Sequence, residues 1–249
     1  MPGSSNPRRG FAGLVVPGLI TLVGLAVLVS LGLWQVERLH WKEGVIATLS
    51  ERLTQPPSAL PPAGEWVGLK AADAEFRRVR FAAEFLNDRE ALIHTAGSPL
   101  RPDVSGSGYW VMTPARLADG SVVMVNRGFV PEGRQNAATR REGEVTGVTD
   151  LVGVLRWPET RGMFTPADEP GRSLWFIRDH AAIAAAKGVG PVGPFYVDLE
   201  APQPPGRLPR AGALQVSLPN NHLQYAVTWF GLALTLLAVF LVWAIRRPR

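Results

Sequence analysis

The chain has 249 residues, a formal net charge of +5 and no cysteine. Without cysteine it can form no disulfide, iron–sulfur cluster, thiolate-bound copper site or c-type haem attachment. All 21 acidic residues lie between Glu37 and Glu200, and 21 of the 26 basic residues lie between the two long apolar runs, because the other five are in the two tails. The middle of the chain is therefore formally neutral, which argues against a surface that binds nucleic acid.

The first long apolar segment, residues 14–36, predicts a transmembrane helix. No charged side chain occurs in residues 11–36. A helix of this length measures about 35 Å, enough to cross a hydrocarbon core of about 30 Å. A secretory signal peptide headed by Arg8 and Arg9 is the alternative, but its apolar core normally spans only about 7 to 15 residues. The pattern after the segment, from Arg38 to Arg52, predicts that the helix continues.

The segment between the apolar runs predicts mainly strands. Four prolines between Pro56 and Pro62 indicate a stiff linker, and Asp119-Gly120 predicts a hairpin turn within residues 109–131. Short strands without regular intervening helices favour one domain whose mainly antiparallel sheet, with a few helices, forms a barrel or sandwich. The other β-rich runs are residues 80–85, 91–95, 146–157, 174–177, 195–199 and 214–218, and one helix is predicted at about 179–187.

The second apolar segment, residues 223–245, predicts another transmembrane helix. A short basic tail, residues 246–249, follows it, and residues 1–13 form a second tail that carries Arg8 and Arg9. By the positive-inside rule both tails are cytoplasmic, and residues 37–222 form an extracytoplasmic domain. We therefore expect a multi-pass protein of the bacterial cytoplasmic (inner) membrane. Small residues could let the two helices approach closely in the bilayer: Gly18, Gly24, Gly32, Gly231 and Ala233.

His222 is the main candidate for a functional side chain, because it lies where the second helix enters the membrane. Helical spacing places His222, Tyr225 and Trp229 on one face, which could ligate a haem iron through the imidazole and pack rings against the macrocycle. The alternative is an interfacial histidine at a helix N-terminus, capped by Asn220 or Asn221.

The remaining candidates are arginines and scattered histidines. Arg38 and Arg127 could pair with haem propionates or with carboxylates of a partner, although ion pairs within the domain are the alternative. His40, His94 and His180 lack the close spacing of a metal site. No combination of nucleophile, acid and base is recognisable, so the sequence does not predict an enzyme.

Several segments together resemble the Surfeit locus protein one family, the membrane-bound assembly factors of cytochrome c oxidase. They occur in the family's order along nearly the whole chain, although Phe76 and Phe129 stand where tyrosine and tryptophan are frequent. The segments are residues 31–38 with Trp41-Lys42, residues 76–79, Thr113-Pro114, residues 125–131, Arg161, Phe164, Pro166, Trp175, Arg178-Asp179, residues 221–226 and Thr228-Trp229.

The resemblance implies a non-enzymatic role in maturing the catalytic subunit of the oxidase. For bacterial members it implies transient binding of haem a with His222 as the iron ligand, and partners that include that subunit and the machinery of haem a synthesis. A scaffold for oxidase subunits that carries no cofactor is the alternative. Copper delivery is poorly supported, because the chain has no cysteine and only four methionines.

Overall fold

The computed structural model describes residues 8–216 and 219–246, with side chains from residue 13 onward. The chain forms two compact units. Residues 1–47 and 219–249 make the first, which we call the helix unit, and residues 48–218 make the second, which we call the sheet unit. The α-helices are α1 (Arg8–Thr54), α2 (Ala71–Ala74), α3 (His180–Ala186) and α4 (His222–Arg246).

The two long helices, α1 and α4, contain both apolar segments and are long and apolar enough to cross a membrane. The predicted continuation of the first helix is confirmed, since α1 ends only at Thr54. Pro17 lies inside α1, where its ring removes one backbone donor. The Thr21 hydroxyl donates to the Pro17 carbonyl over 2.8 Å, so a polar side chain within the apolar segment is satisfied locally.

Within the helix unit, α1 and α4 pack antiparallel along the glycines of α1. A Cβ atom at Gly32 would lie 2.6 Å from the Phe230 ring, and one at Gly24 would lie 2.9 Å from Leu236. Gly18 lies opposite Phe240 in the same way, at an ordinary contact distance of 3.7 Å. The predicted close approach therefore occurs, with large α4 side chains seated on α1 glycines. Gly231 contributes nothing to it, because its Cβ position has open space.

In the described part of the sheet unit, eight strands form one mixed sheet. Pairing is antiparallel except for β1–β2, β5–β8 and β3–β7, and the strand order is β1-β2-β6-β8-β5-β4-β3-β7. An additional pairing of β2 with β4 links β2, β6, β8, β5 and β4 into a closed circuit. The strands are β1 (Ser58–Ala59), β2 (Arg78–Phe85), β3 (Ala91–Ser98), β4 (Arg101–Leu117), β5 (Val122–Pro131), β6 (Val148–Arg156), β7 (Leu174–Trp175) and β8 (Tyr196–Ala201).

Most of the predicted elements of the sheet unit are confirmed. The Asp119-Gly120 turn joins β4 and β5, which pair antiparallel, and the predicted helix at 179–187 is α3. The strand predicted at 214–218 is wrong for residues 214–216, which are irregular, while residues 217 and 218 lie outside the described part. There the Gln215 amide makes an isolated bond to the Leu100 carbonyl at 2.8 Å, so no ladder forms.

Apolar side chains cover both faces of the sheet. In β5, Val123 and Val125 belong to one buried cluster and Met124, between them, belongs to the other. Alternation along a strand sends neighbouring side chains to opposite faces, which explains this division. The second cluster also holds Ile183 of α3, so this short helix packs against that face. A sheet buried on both sides forms a rigid body in the middle of the chain.

We expect Gly128→Ala to lower the stability of the sheet unit by about 2 to 4 kcal/mol. Gly128 has a φ of +119°, and a Cβ there would collide with the Arg210 carbonyl and lie 2.6 Å from the Ala211 nitrogen. Gly133→Ala is the control, because its φ is +86° but its Cβ position is open; strain alone should cost about 1 kcal/mol. Urea unfolding of both variants in detergent, followed by tryptophan fluorescence, measures the difference. Equal stabilities would contradict the steric account.

Candidate functional site

His222 is the first residue of α4 and is bonded to the other long helix of the helix unit. Its Nδ1 lies 2.7 Å from the Oε1 of Gln35, a residue of α1 that is only 9% exposed. An amide oxygen is an acceptor only, so Nδ1 carries the ring proton and donates it to Gln35. This bond fixes the orientation of the imidazole ring and its tautomer.

The other ring nitrogen, Nε2, consequently holds the free lone pair. No hydrogen bond to it occurs among residues 8–216 and 219–246. A histidine that ligates a metal usually donates its second N–H to a carbonyl, carboxylate or water, because that bond orients the ring and raises its basicity. The pair of His222 and Gln35 has this arrangement, which leaves Nε2 suited to bind iron. The buried Asn220 Oδ1, two residues away, also lacks a partner in the described chain.

Beside this pair lies a surface that is both aromatic and cationic. Trp34 and Tyr225 are 53% and 54% exposed, and Trp229 is half-buried. The guanidinium of Arg38 stacks on the Trp41 ring, with 3.8 Å between its Cζ and the ring centroid. Exposed rings beside a cation provide apolar surface and a charge for a large planar ligand that carries carboxylates.

Helix geometry places these side chains on one flank of the helix pair. Arg38 and Trp34 are displaced from Gln35 by about 60° and 100° in the same sense around α1. Trp229 and Tyr225 are displaced from the buried Ala226 by about the same angles around α4. Because the helices are antiparallel, equal rotations lead to the same flank. We call the set of Trp34, Arg38, Tyr225 and Trp229 the aromatic flank.

Along the helix axes, Arg38 and the Tyr225 ring lie on opposite sides of the pair formed by His222 and Gln35. Arg38 lies about 4.5 Å beyond Gln35 toward the end of α1, whereas Tyr225 lies about 4.5 Å beyond His222 in the opposite direction. The nitrogen ligand therefore sits between a cation and a run of rings. That order matches a haem, whose propionates and hydrophobic edge lie on opposite sides of the iron, so the residues present fit the group.

The structure brings together the predicted residues of the helix unit and adds one that sequence reasoning missed. Arg38 and the helix-face set of His222, Tyr225 and Trp229 all lie in this unit. Gln35 was missed, although a buried amide inside an apolar run is unusual enough to be a signal. His222 does lie at the N-terminus of α4, as the alternative expects, but the Asn220 Oδ1 accepts no hydrogen bond from the described chain.

Arg127, in contrast, is a buried residue of the sheet unit and is 2% exposed. Its Nη1 donates to Asn87 Oδ1 at 2.8 Å, its Nη2 donates to the Gly143 carbonyl, and its Cζ lies 4.5 Å from the centre of the Phe85 ring. Burial lowers the pKa of Arg127 to about 10, and nearby Arg140 adds to the effect while Glu90 opposes it. These contacts support the structural alternative for this side chain.

A buried polar network explains several other charged residues of the sheet unit. The Asp198 carboxylate, in β8, accepts a hydrogen bond from Asn126 at 2.7 Å. It also forms an ion pair with Arg156 at 3.2 Å. Arg156 also contacts Glu75 at 3.3 Å, and Arg178 pairs with Glu159. Each of these charged side chains has an oppositely charged partner inside the sheet unit, so removal of one partner would leave a buried charge uncompensated.

The other histidines do not form a site. His180 is buried and its Nε2 lies 2.8 Å from the Gly193 carbonyl, while His94 contacts Ser107 at 3.3 Å. Burial lowers the pKa of His180, so its ring is neutral at physiological pH. His40 is exposed on α1. In the part of the chain that the structure describes, no cluster of histidine and acidic residues could hold a metal ion.

Comparison with known proteins gives one consistent result. The model of the SURF1 family matches residues 22–234. Surfeit locus protein 1 of Rattus norvegicus is 38% identical over 213 residues, which cover 82% of this chain and 67% of the rat protein. The human protein of that name is 37% identical, covering 82% and 69%, and the SURF1-like protein of Monosiga brevicollis is 36% identical, covering 85% and 81%.

We expect Arg127→Ala to destabilise the sheet unit by about 3 kcal/mol, because it leaves the Asn87 and Gly143 acceptors unpaired in a buried cavity. Arg134→Ala is the matched control: Arg134 is exposed, and its loss should cost within about 0.5 kcal/mol. Urea unfolding gives both values. A folded Arg127→Ala protein of unchanged stability would instead point to a binding role for this arginine.

Proposed function

This chain belongs to the SURF1 family, and from that premise we propose that it is a membrane-anchored assembly factor of cytochrome c oxidase. In this proposal it holds haem a through His222 and helps its insertion into the catalytic subunit of the oxidase. The observation that carries the proposal is the bond between His222 Nδ1 and Gln35 Oε1, which leaves Nε2 free. Haem a is cargo here, so the chain itself performs no covalent chemistry.

Membrane anchoring is the first part of the proposal. The exposed surfaces of α1 and α4 are largely aliphatic, which in water would be unfavourable and in lipid is favourable. Basic tails at both ends of the chain favour cytoplasmic termini and place the sheet unit outside the cytoplasm of a bacterial cell. The closed circuit of strands supports a barrel-like form for this domain, which we assign to contact with the partner proteins.

Haem binding is the second part. His222 supplies one imidazole ligand, Gln35 holds its ring in place, and Arg38 provides a cation for a propionate. Tyr225 and Trp229 offer rings on the face of α4 that carries His222. A site that lies on one flank of two helices, and is not enclosed, allows the cargo to leave sideways toward a membrane-embedded acceptor. Transient retention suits a carrier better than permanent binding.

We expect His222→Ala to lose most of the bound haem while inserting into membranes normally, because the change removes the ligand and leaves the apolar helices intact. The full-length protein is purified from cells that make haem a, and the visible spectrum and haem content per polypeptide are measured. His40→Ala is the control, since His40 is exposed on the same helix unit. Equal haem content in both variants, or a colourless unmutated protein, would favour the scaffold function instead.

Gln35 variants test the positioning of the ligand. Gln35→Leu removes the acceptor for Nδ1, so we expect haem retention to fall about 10-fold or more. Gln35→Glu retains an acceptor and should restore most of it. The test also includes the Soret band of haem that remains, since a misplaced ring alters the ligand field whereas simple loss of protein does not. Identical retention in Gln35→Leu and the unmutated protein would contradict the assignment.

A further inference from the structure

One surface of the sheet unit remains unexplained by the proposed function. Met163 and Phe164 are adjacent and are 92% and 94% exposed, so nearly the whole of both side chains faces outward. Large apolar side chains that stand alone on a surface are common, but two in sequence at the same tip form a compact apolar knob. We call this pair the apolar knob.

The apolar knob is held by a tight, hydrogen-bonded turn. The Thr165 amide donates to the Gly162 carbonyl at 3.1 Å, and the Gly162 amide donates to the Thr165 hydroxyl at 3.1 Å, so the two residues on either side of the knob are bonded in both directions. Arg161 then clamps the base, donating to the Pro166 carbonyl and pairing with Asp168. The exposure of the knob is therefore built into the local structure.

The base of the turn is fixed to the sheet. The second oxygen of Asp168 accepts the backbone amide of Phe176 at 2.8 Å, directly after β7. A side chain that bonds Arg161 with one oxygen and the β7 end with the other transmits the rigidity of the sheet to the turn. The knob thus protrudes from a rigid body, and presenting it costs little further entropy when it binds.

The charges around the knob are compensated. Arg161 is paired with Asp168, and Arg172 is paired with Glu169 at 3.0 Å. Because these charges are paired, the surface around the knob favours neither an anionic nor a cationic partner. What remains for recognition is apolar surface alone, and an apolar environment with no fixed charge is what the acyl region of a bilayer provides.

The size of the knob also favours lipid over a protein partner. A specific protein interface normally buries about 1,200 Å² or more, which two side chains cannot supply. Two side chains are also too few to bring a free protein to a membrane. In this chain, however, the sheet unit is joined in sequence to a candidate membrane span on each side. Such tethering makes insertion an intramolecular event with a high effective concentration, so a small apolar contribution is enough.

We propose that Met163 and Phe164 insert into the outer leaflet of the bilayer and fix the orientation of the sheet unit at the membrane surface. This inference rests on the membrane anchoring in the proposed function. It adds a third membrane contact to the two helices. Its consequence is that the domain faces its partners in one orientation.

The absence of cysteine from the chain allows a direct test with single labels. Phe164→Cys carries a nitroxide in the full-length protein, reconstituted in nanodiscs of phosphatidylcholine and phosphatidylglycerol. Collisions with oxygen, which partitions into lipid, and with a water-soluble nickel chelate are measured by electron paramagnetic resonance. We expect the ratio of oxygen to nickel accessibility to be several-fold higher than for Val67→Cys, whose side chain is also 94% exposed in the sheet unit.

The outcomes separate this inference from the function on which it rests. A label at Val29→Cys on α1 reports membrane insertion; if it contacts water, the anchoring itself fails. If Val29 reports lipid while Phe164 remains accessible to the nickel chelate, the knob does not insert and this inference is overturned. Shielding of Phe164 from both reagents means burial against protein, such as a second copy of the chain, and overturns it equally.

A second set of variants removes the knob without labelling it. A nitroxide at Ala167→Cys, which is exposed at the base of the turn, is measured with and without the pair Met163→Asn and Phe164→Asn. We expect the apolar pair to hold this label near the lipid surface, and the asparagine pair to raise its nickel accessibility several-fold. An unchanged value would show that the apolar side chains do not hold the domain, and would overturn the inference.

Discussion

The hydrogen bond between His222 and Gln35 is the interaction on which the functional interpretation of the helix unit depends. It joins side chains 187 positions apart in the chain. In an apolar environment an imidazole and an amide each need a partner, because an unpaired polar group costs several kcal/mol in hydrocarbon. His222 at the start of α4 and Gln35 within α1 satisfy each other, and the second imidazole nitrogen has no hydrogen bond from the described residues.

This bond requires the two helices to lie very close together. A histidine and a glutamine reach each other across the helix pair only because Gly32, one turn before Gln35, lets the Phe230 ring seat against the α1 backbone. Gly24, two turns earlier in α1, likewise lets the Leu236 side chain pack against the α1 backbone. The small residues therefore have a role beyond packing, since they set the separation at which a buried polar pair can form.

The sequence predicted the elements of this architecture better than the pairing between them. Long uncharged runs identify α1 and α4, and Asp119-Gly120 identifies the β4–β5 hairpin, because these signals are local. Gln35 was missed because its role exists only through a residue 187 positions away. Residues 214–216 have the composition of a strand but lack a neighbouring strand to pair with, and composition alone does not supply one.

Arg38 and Arg127 also show that the sequence does not predict which contacts a side chain makes. Arg38 and Arg127 have identical chemistry, and the sequence made both candidates for binding carboxylates, with ion pairs inside the domain as the alternative. In the structure Arg127 is enclosed and donates to Asn87 and Gly143, whereas Arg38 is exposed and stacks on Trp41. A guanidinium whose donors are still free can bind a ligand, while one whose donors are satisfied inside a core stabilises the fold. Burial, which depends on the whole sheet, decides between these roles.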